Sequence, residues 1–221
     1  MDRDFESRET CRFFIRHNEE IAMTRIKPLT MEELPEQTQA AMKFSENLMG
    51  YVPNSVMTMA HWPELLAAFR GLVATIYGES AIDNGLKRLI GAVVSAAAGC
   101  QYCMAHTTLG ARDVGVDEKK VKAVWDYQTS DLFSDAERAA LDLAFAAGQV
   151  PNAASDDHFV ALDPYYDERQ KTEIIAVISM FGFLNRWNDT LATGLEDKPF
   201  ESATTLYSPD QWQAGQHRRE L

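Results

Sequence analysis

The chain has 221 residues, of which 46% are apolar, and this content suffices for one domain with a sizeable buried core. It carries 21 lysines and arginines against 33 aspartates and glutamates, which gives a net charge of -12. Because an anionic protein repels polyanions, we expect no nucleic-acid partner. No segment approaches the ~20 apolar residues of a membrane span and the N-terminus lacks a secretory signal, so we expect no membrane association and a cytoplasmic location.

Three segments differ in their patterning. Residues 1–22 are rich in charge and show no sustained periodicity, which predicts a flexible N-terminal extension. Residues 23–197 carry the apolar periodicity of a helical domain. Residues 198–221 lose that periodicity but keep large apolar side chains, at Phe200, Leu206, Tyr207 and Trp212. We expect an irregular C-terminal tail there and regard it as a candidate for a subunit interface.

Helical signals recur throughout the predicted domain. Capping boxes are expected at Thr30–Glu33 and Ser134–Glu137. Apolar residues at helical spacing, bounded by prolines and glycines, predict helices over residues 36–49, shortly after Pro53, and over 64–77, 86–98, 107–114, 117–127, 135–147, 156–162 and 167–193. The small residues within 86–98 predict close packing against a neighbouring helix. No stretch shows the alternation of a strand, so the predicted fold is all-α, with about eight helices.

Two thiols and an imidazole lie close together at Cys100, Cys103 and His106. Cysteines three residues apart on a helix can form a disulfide after a modest adjustment of the backbone. Gly99 favours a helix start at this point, where the helix dipole and free amide groups stabilise a thiolate. His106 is predicted to share the face of Cys103, where an imidazole can take up a thiol proton. The cluster therefore indicates a redox site carried by a helix.

Other uses of this cluster are less well supported. Structural zinc takes four ligands, and without a second CxxC or an HxxxH a zinc ion would need His61 or a carboxylate. A c-type haem requires histidine directly after the second cysteine, where Met104 stands, and a thioredoxin-like site requires a preceding strand. We therefore expect no metal and no cofactor, and an external thiol reductant.

Further polar residues give no site prediction. A cluster near the end of the last long helix is predicted to form an exposed or interface face, and it consists of Asn185, Arg186, Asn188 and Asp189. Three histidines belong to no motif and are given no role, namely His17, His158 and His217.

The chain resembles the carboxymuconolactone decarboxylase and alkyl hydroperoxidase D superfamily, in particular its peroxidase-related branch. The resemblance covers about residues 25–196 and is carried by Arg25–Leu29, Pro53–Met57, His61–Leu65, Lys87–His106, Ser130–Arg138 and Phe181–Arg186. It implies a compact multi-helix bundle that assembles into a homo-oligomer, a dimer, trimer or hexamer, with active sites near subunit contacts.

The resemblance also implies roles for the two cysteines. In this family the second cysteine, here Cys103, attacks the peroxide, and the first, here Cys100, resolves the product as a disulfide. The leading hypothesis is a thiol-dependent peroxidase that reduces hydrogen peroxide or organic hydroperoxides and is recharged by an unknown thiol reductant protein. Two alternatives stay open, namely a non-catalytic helical oligomer that binds a small ligand, and a decarboxylase-like lyase.

The proton relay of the family is altered in this chain. Arg88 stands where the resemblance implies a glutamate, and Thr107 stands where it implies a histidine. Arg88 can stabilise a thiolate by its charge but, with a pKa above ~12, cannot shuttle protons. We expect His106 to act as the base instead, with Glu79 or Thr107 as supporting residues.

Overall fold

The computed structural model describes residues 24–218, and the extension predicted at residues 1–22 lies outside the described residues. This part of the chain contains ten α-helices and no strand: α1 (Glu36–Met49), α2 (Asn54–Met59), α3 (Pro63–Tyr77), α4 (Asn84–Ala98), α5 (Gln101–Asp113), α6 (Glu118–Lys122), α7 (Asp135–Gly148), α8 (Asp156–Leu162), α9 (Glu168–Leu191) and α10 (Asp197–Leu206). The all-α prediction is confirmed. Within residues 24–218, no helix combines the length and apolar character needed to cross a membrane.

Local capping determines where helices begin. The hydroxyl of Ser134 accepts a hydrogen bond from the backbone N–H of Glu137, whose carboxylate accepts one from the backbone N–H of Ser134. This predicted capping box opens α7. The box at Thr30 and Glu33 also forms, but it opens a single 3₁₀ turn ahead of α1.

Helix α4 lies at the centre of the bundle and packs against α5, α7 and α9. Its middle is buried from Gly85 to Ser95 apart from Arg88, and includes Leu89, Ile90, Ala92, Val93 and Val94. The close packing predicted for this helix is seen at Gly91, where an added methyl group would overlap the ring of Phe181 on α9. A glycine therefore sets the distance between α4 and α9.

A buried ion pair joins α4 to α9. Lys87 is 1% exposed, and its ammonium lies 3.3 Å from the carboxylate of Glu173. Glu173 also accepts hydrogen bonds from the backbone amides of Ala81 and Ile82. Burial raises the pKa of Glu173, but the hydrogen bonds from Arg169 and from these amides outweigh it and lower the pKa to about 2. The pair thus fixes the loop between α3 and α4.

The C-terminal segment differs from its prediction. Residues 198–221 were expected to be irregular, yet α10 occupies Asp197–Leu206 and packs against α5. After α10 the chain returns over the core and buries the side chains of Tyr207, Trp212 and His217. The buried positions of α10 do follow helical spacing, but a proline and a serine are among them, which weakened the apolar signal. Packing against α5 stabilises this helix.

Helix α9 ends at Leu191, two residues before the predicted end. Ala192 adopts a left-handed conformation with φ 49°. The N–H groups of Ala192 and Thr193 bond to the carbonyls of Asp189 and Asn188, which is the pattern of a Schellman cap. The cap turns the chain back, so that the residues following α9 lie close to the start of α5.

Candidate active site

Cys100 and Cys103 lie together where α4 passes into α5. Gly99 turns the chain with φ 79°, and Cys100 then forms the N-cap of α5, its backbone N–H bonded to the carbonyl of Ser95. Both cysteines are free thiols, 0% and 2% exposed, and they hydrogen-bond to each other. The pair therefore sits at a helix N-terminus, where free amide groups and the helix dipole stabilise a thiolate.

The two thiols have different surroundings. The hydrogen bond to Cys103, followed by burial, raises the pKa of Cys100 far above its usual range. Cys103 in turn receives a hydrogen bond from the side-chain amide of Asn188, with 3.3 Å between Nδ2 and Sγ. Hydrogen-bond donors stabilise an anionic sulfur. Cys100 therefore keeps its proton, while Asn188 places a hydrogen-bond donor against the sulfur of Cys103.

His217 lies beside Cys100, although its position in the sequence gave it no role. Its side chain is 1% exposed, with Nδ1 2.8 Å from the carbonyl of Thr193 and Nε2 3.0 Å from the carboxylate of Asp189. Burial lowers the pKa of His217, but the hydrogen bonds to Asp189 and Cys100 outweigh it and raise the pKa to about 9. The imidazole, the carboxylate and the sulfur of Cys100 each place one atom within 4.8 Å of the others.

These three side chains also offer sulfur, nitrogen and oxygen atoms, which are the types of atom that bind zinc. A structural zinc site takes four ligands, and a histidine ligand needs one ring nitrogen free to coordinate the metal. Both nitrogens of His217 already face oxygen acceptors. The group therefore fits a hydrogen-bonded ion pair better than a metal site. His61, which the zinc alternative would require, lies elsewhere and faces the carbonyl of Lys27.

The structure turns His106 towards Glu196. Its Nδ1 lies 2.9 Å from the carbonyl of Tyr102, and its Nε2 lies 2.8 Å from Oε2 of Glu196. Glu196 also accepts hydrogen bonds from the Tyr102 hydroxyl and the backbone N–H of Asn54. Burial raises the pKa of Glu196, but the charge of His106 and these hydrogen bonds outweigh it and lower the pKa. Both nitrogens of His106 thus face oxygens, and its role as base stays a prediction.

The predicted supporting residues have separate surroundings. The guanidinium of Arg88 lies 3.8 Å from the centre of the Tyr77 ring and packs against Gly110. The hydroxyl of Thr107 donates to the backbone carbonyls of Cys103 and Met104. Glu79 is exposed in the loop after α3. Thr107 thus contacts the backbone of Cys103, and the roles of all three residues stay predictions.

The polar cluster on α9 is only partly on the surface. Arg186 is exposed as predicted, but Asn185 and Asn188 are buried, so the prediction of an exposed face is wrong for both asparagines. They continue the buried stripe of α9 at helical spacing, after Ile174, Val177, Ile178 and Phe181. This spacing is the signal that could have identified them.

A cavity of about 800 Å³ lies on the outer side of α9. Its walls include Phe183, Arg186 and Trp187, together with Val150 and Ile26, and neither cysteine lines it. The cavity and the thiols are therefore separate features of the molecule.

This fold and site define an all-helical protein with a buried CxxC pair at a helix N-terminus. A sequence model of the carboxymuconolactone decarboxylase family matches residues 63–146, from α3 into α7. The chain belongs to the carboxymuconolactone decarboxylase and alkyl hydroperoxidase D-like superfamily.

The chain is also similar to several solved structures and to a curated relative. The debrominase Bmp8 is 37% identical, with a TM-score of 0.77, over 84% of this chain and 99% of that protein. A Bmp8 variant in complex with 2,3,4-tribromopyrrole gives a TM-score of 0.78 at 36% identity. A peroxidase-related protein from Ralstonia eutropha JMP134 shares the fold at 23% identity, with a TM-score of 0.72 over 80% of this chain and 94% of that one. The uncharacterised protein YnjA of Escherichia coli K12 is 27% identical over 63% of this chain and 84% of its own length.

Proposed function

We propose that this protein is a thiol-dependent peroxidase in which Cys103 and Cys100 pass two electrons to a hydroperoxide. The observation that supports the proposal best is the buried dithiol at the start of α5, with hydrogen bonds to Cys103 from both Cys100 and Asn188. A thiolate is the reactive form of cysteine, and these donors favour it on Cys103.

The proposed reaction has two steps. The thiolate of Cys103 attacks the outer oxygen of the hydroperoxide, so that an S–O bond forms, the O–O bond breaks and the alkoxide takes up a proton to leave as an alcohol. The sulfur of Cys100 then attacks the sulfenic acid, and the hydroxide that leaves combines with the Cys100 proton to form water. Two thiols and one hydroperoxide thus yield one disulfide, one alcohol and one water. An external thiol reductant reverses the disulfide.

Single substitutions at the two cysteines test this proposal. Cys11→Ser serves as the background, so that only the pair can react, and each protein is mixed with hydrogen peroxide or cumene hydroperoxide. We expect the background protein to form the Cys100–Cys103 disulfide, Cys100→Ser to retain a sulfenic acid detectable by mass spectrometry, and Cys103→Ser to consume no peroxide. Equal peroxide consumption by both variants and the background protein would overturn the proposal.

A second candidate function is the reductive removal of bromine from a small aromatic ring. The identity of 37% with the debrominase Bmp8 favours it. The electron count is the same, because two thiols and one carbon–bromine bond yield a disulfide, a carbon–hydrogen bond and hydrogen bromide. Anaerobic incubation of the reduced protein with a brominated pyrrole distinguishes the two candidates. Bromide release in proportion to disulfide, without reaction with peroxide, would identify a debrominase, and the opposite result a peroxidase.

A further inference from the structure

The ion pair of Asp189 and His217 is a part of the site that the reaction above does not use. His217 belongs to a 3₁₀ turn at Gly215–His217, beyond the part of the chain that the family model matches. One ring nitrogen faces the carbonyl of Thr193 and the other faces the carboxylate of Asp189. Both partners can only accept hydrogen bonds, so both nitrogens carry a hydrogen. His217 is therefore an imidazolium, with Asp189 as its counter-charge.

Besides the carbonyl of Thr193, three side chains within residues 24–218 face this imidazolium. Asp189 reaches it from α9, while Cys100 and the ring of Tyr102, whose centre is 5.8 Å away, reach it from the start of α5. Tyr102 is uncharged, because burial raises the pKa of its hydroxyl well above the usual value. Cys100 is thus the one of these groups whose charge changes when the dithiol is oxidised and reduced.

We propose that Asp189 and His217 form a positioning pair that stabilises negative charge on the sulfur of Cys100. The proposal rests on the dithiol chemistry of the proposed function. It applies in the resolving step, when Cys100 loses its proton as it attacks Cys103. It applies again during recharging, when a reductant thiolate attacks Cys103, the S–S bond of the protein breaks, and Cys100 leaves with the electron pair. A leaving thiol departs faster when its thiolate is stabilised.

The Asp189–His217 pair supplies a charged hydrogen-bond donor beside a cysteine sulfur, whereas the residues at the altered relay positions bond elsewhere. Arg88 contacts the ring of Tyr77, and Thr107 bonds to backbone carbonyls. Asp189 and His217 come from the end of α9 and from the C-terminal segment instead, and they approach the other cysteine. The pair acts on the resolving thiol of Cys100 and not on the attacking thiol of Cys103.

Thiol–disulfide exchange with dithiothreitol tests the pair without any substrate. The Cys100–Cys103 disulfide is formed chemically in the Cys11→Ser background, and its reduction rate and its equilibrium with dithiothreitol are measured. We expect His217→Gln to slow reduction about tenfold, because one hydrogen bond to the departing thiolate is lost. The equilibrium at neutral pH should not change, because the released Cys100 thiol is then protonated. Asp189→Asn should act in the same direction, and the double variant should be no slower than His217→Gln, since the two residues act as a unit.

His61→Gln is the matched control, because it removes an exposed histidine whose ring faces the backbone carbonyl of Lys27. Its rate and equilibrium should equal those of the background protein. A folded His217→Gln variant with the same reduction rate as the background protein overturns the proposal.

The pH dependence of the background protein gives a second test that needs no substitution in the pair. After correction for the thiolate fraction of dithiothreitol, the reduction rate should fall as the pH rises through about 9, where His217 loses its charge. A flat corrected profile overturns the proposal. Because neither test uses peroxide, a protein that consumes no peroxide but shows both effects refutes the proposed function and leaves the pair intact. A peroxidase without either effect refutes only the pair.

Discussion

The side-chain amide of Asn188 donates a hydrogen bond to the sulfur of Cys103 across 3.3 Å and so joins the last turn of α9 to the first turn of α5. Asn188 is fully buried, so water does not compete for this donor. The contact connects residues 85 positions apart in the chain. It makes the surroundings of Cys103 depend on where α9 lies against α5, and it leads to the first prediction.

Replacing Asn188 with leucine should slow the reaction of Cys103 with iodoacetamide at about pH 7. The variant keeps most of the volume but loses a hydrogen bond to the reacting sulfur, worth about 1.5–3 kcal/mol, which corresponds to a decrease in rate of about tenfold or more. The rate of alkylation in Cys11→Ser,Cys100→Ser protein measures the effect. Asn185→Leu is the control, since its buried amide makes no hydrogen bond within residues 24–218. Equal alkylation rates in both variants would contradict the prediction.

Glu196→Gln should lower the free energy of unfolding, while its effect on the reaction rates of the two thiols should be small. The substitution turns the hydrogen bonds that the buried carboxylate accepts from the Tyr102 hydroxyl and the backbone N–H of Asn54 into bonds to a neutral group, and the loss is about 1.5–3 kcal/mol. The pKa of Glu196 is lowered, so the contribution is present above the ordinary value near 4.5 and is lost as the pH falls below it. Urea unfolding at pH 7 and at lower pH measures the effect, with the exposed Glu201→Gln on α10 as control.

His106→Gln separates the two roles open to that histidine. If it mainly pairs with Glu196, the variant loses stability while Cys103 keeps its rate with peroxide. If it is the thiol base, as the sequence predicts, the rate should fall by about a hundredfold or more. Stopped-flow measurement of the first oxidation step, on protein shown to be folded by circular dichroism, decides between these outcomes.

Glu173→Gln should lower the melting temperature by about 6–12 °C, because it leaves Lys87 buried without its counter-charge at a cost of about 3 kcal/mol. The folded-state pKa of Glu173 is about 2, below the ordinary 4.5. Its contribution is therefore complete above pH 4.5 and declines as the pH falls towards 2. Calorimetry between pH 3 and 7 should show the difference from wild type narrowing at the acid end. Glu168→Gln, an exposed carboxylate on the same helix, should leave the melting temperature unchanged.

Two glycine-to-alanine substitutions should have opposite effects. At Gly91 the new methyl group meets the Phe181 ring, and overpacking of this kind costs about 1–3 kcal/mol. At Gly182 on α9 nothing lies within 4 Å of the new atom, so the better helix propensity of alanine should stabilise the protein by up to about 1 kcal/mol. Chemical unfolding of both variants measures the two changes. Similar stability for both would show that α4 and α9 are not tightly packed at Gly91.

Local signals in the sequence determine most of the helices and the dithiol itself. The capping box at Ser134, the proline that opens α3 and the glycine that precedes Cys100 act within a few residues, so a short window is enough to read them. The CxxC spacing likewise fixes the distance between its two sulfurs once a helix forms. The class of fold and the predicted redox pair follow from these short-range rules.

Only the tertiary structure decides what surrounds the two sulfurs. Asp189 and His217 approach Cys100 from segments about 90 and 117 positions later in the chain, and nothing in their local sequence records that contact. Likewise, α10, whose buried face includes a proline and a serine, is stabilised by packing against α5. His106 turns towards Glu196, 90 residues away. The sequence by itself therefore determined the helices and the thiol pair, whereas long-range packing decided which charged groups act on each thiol.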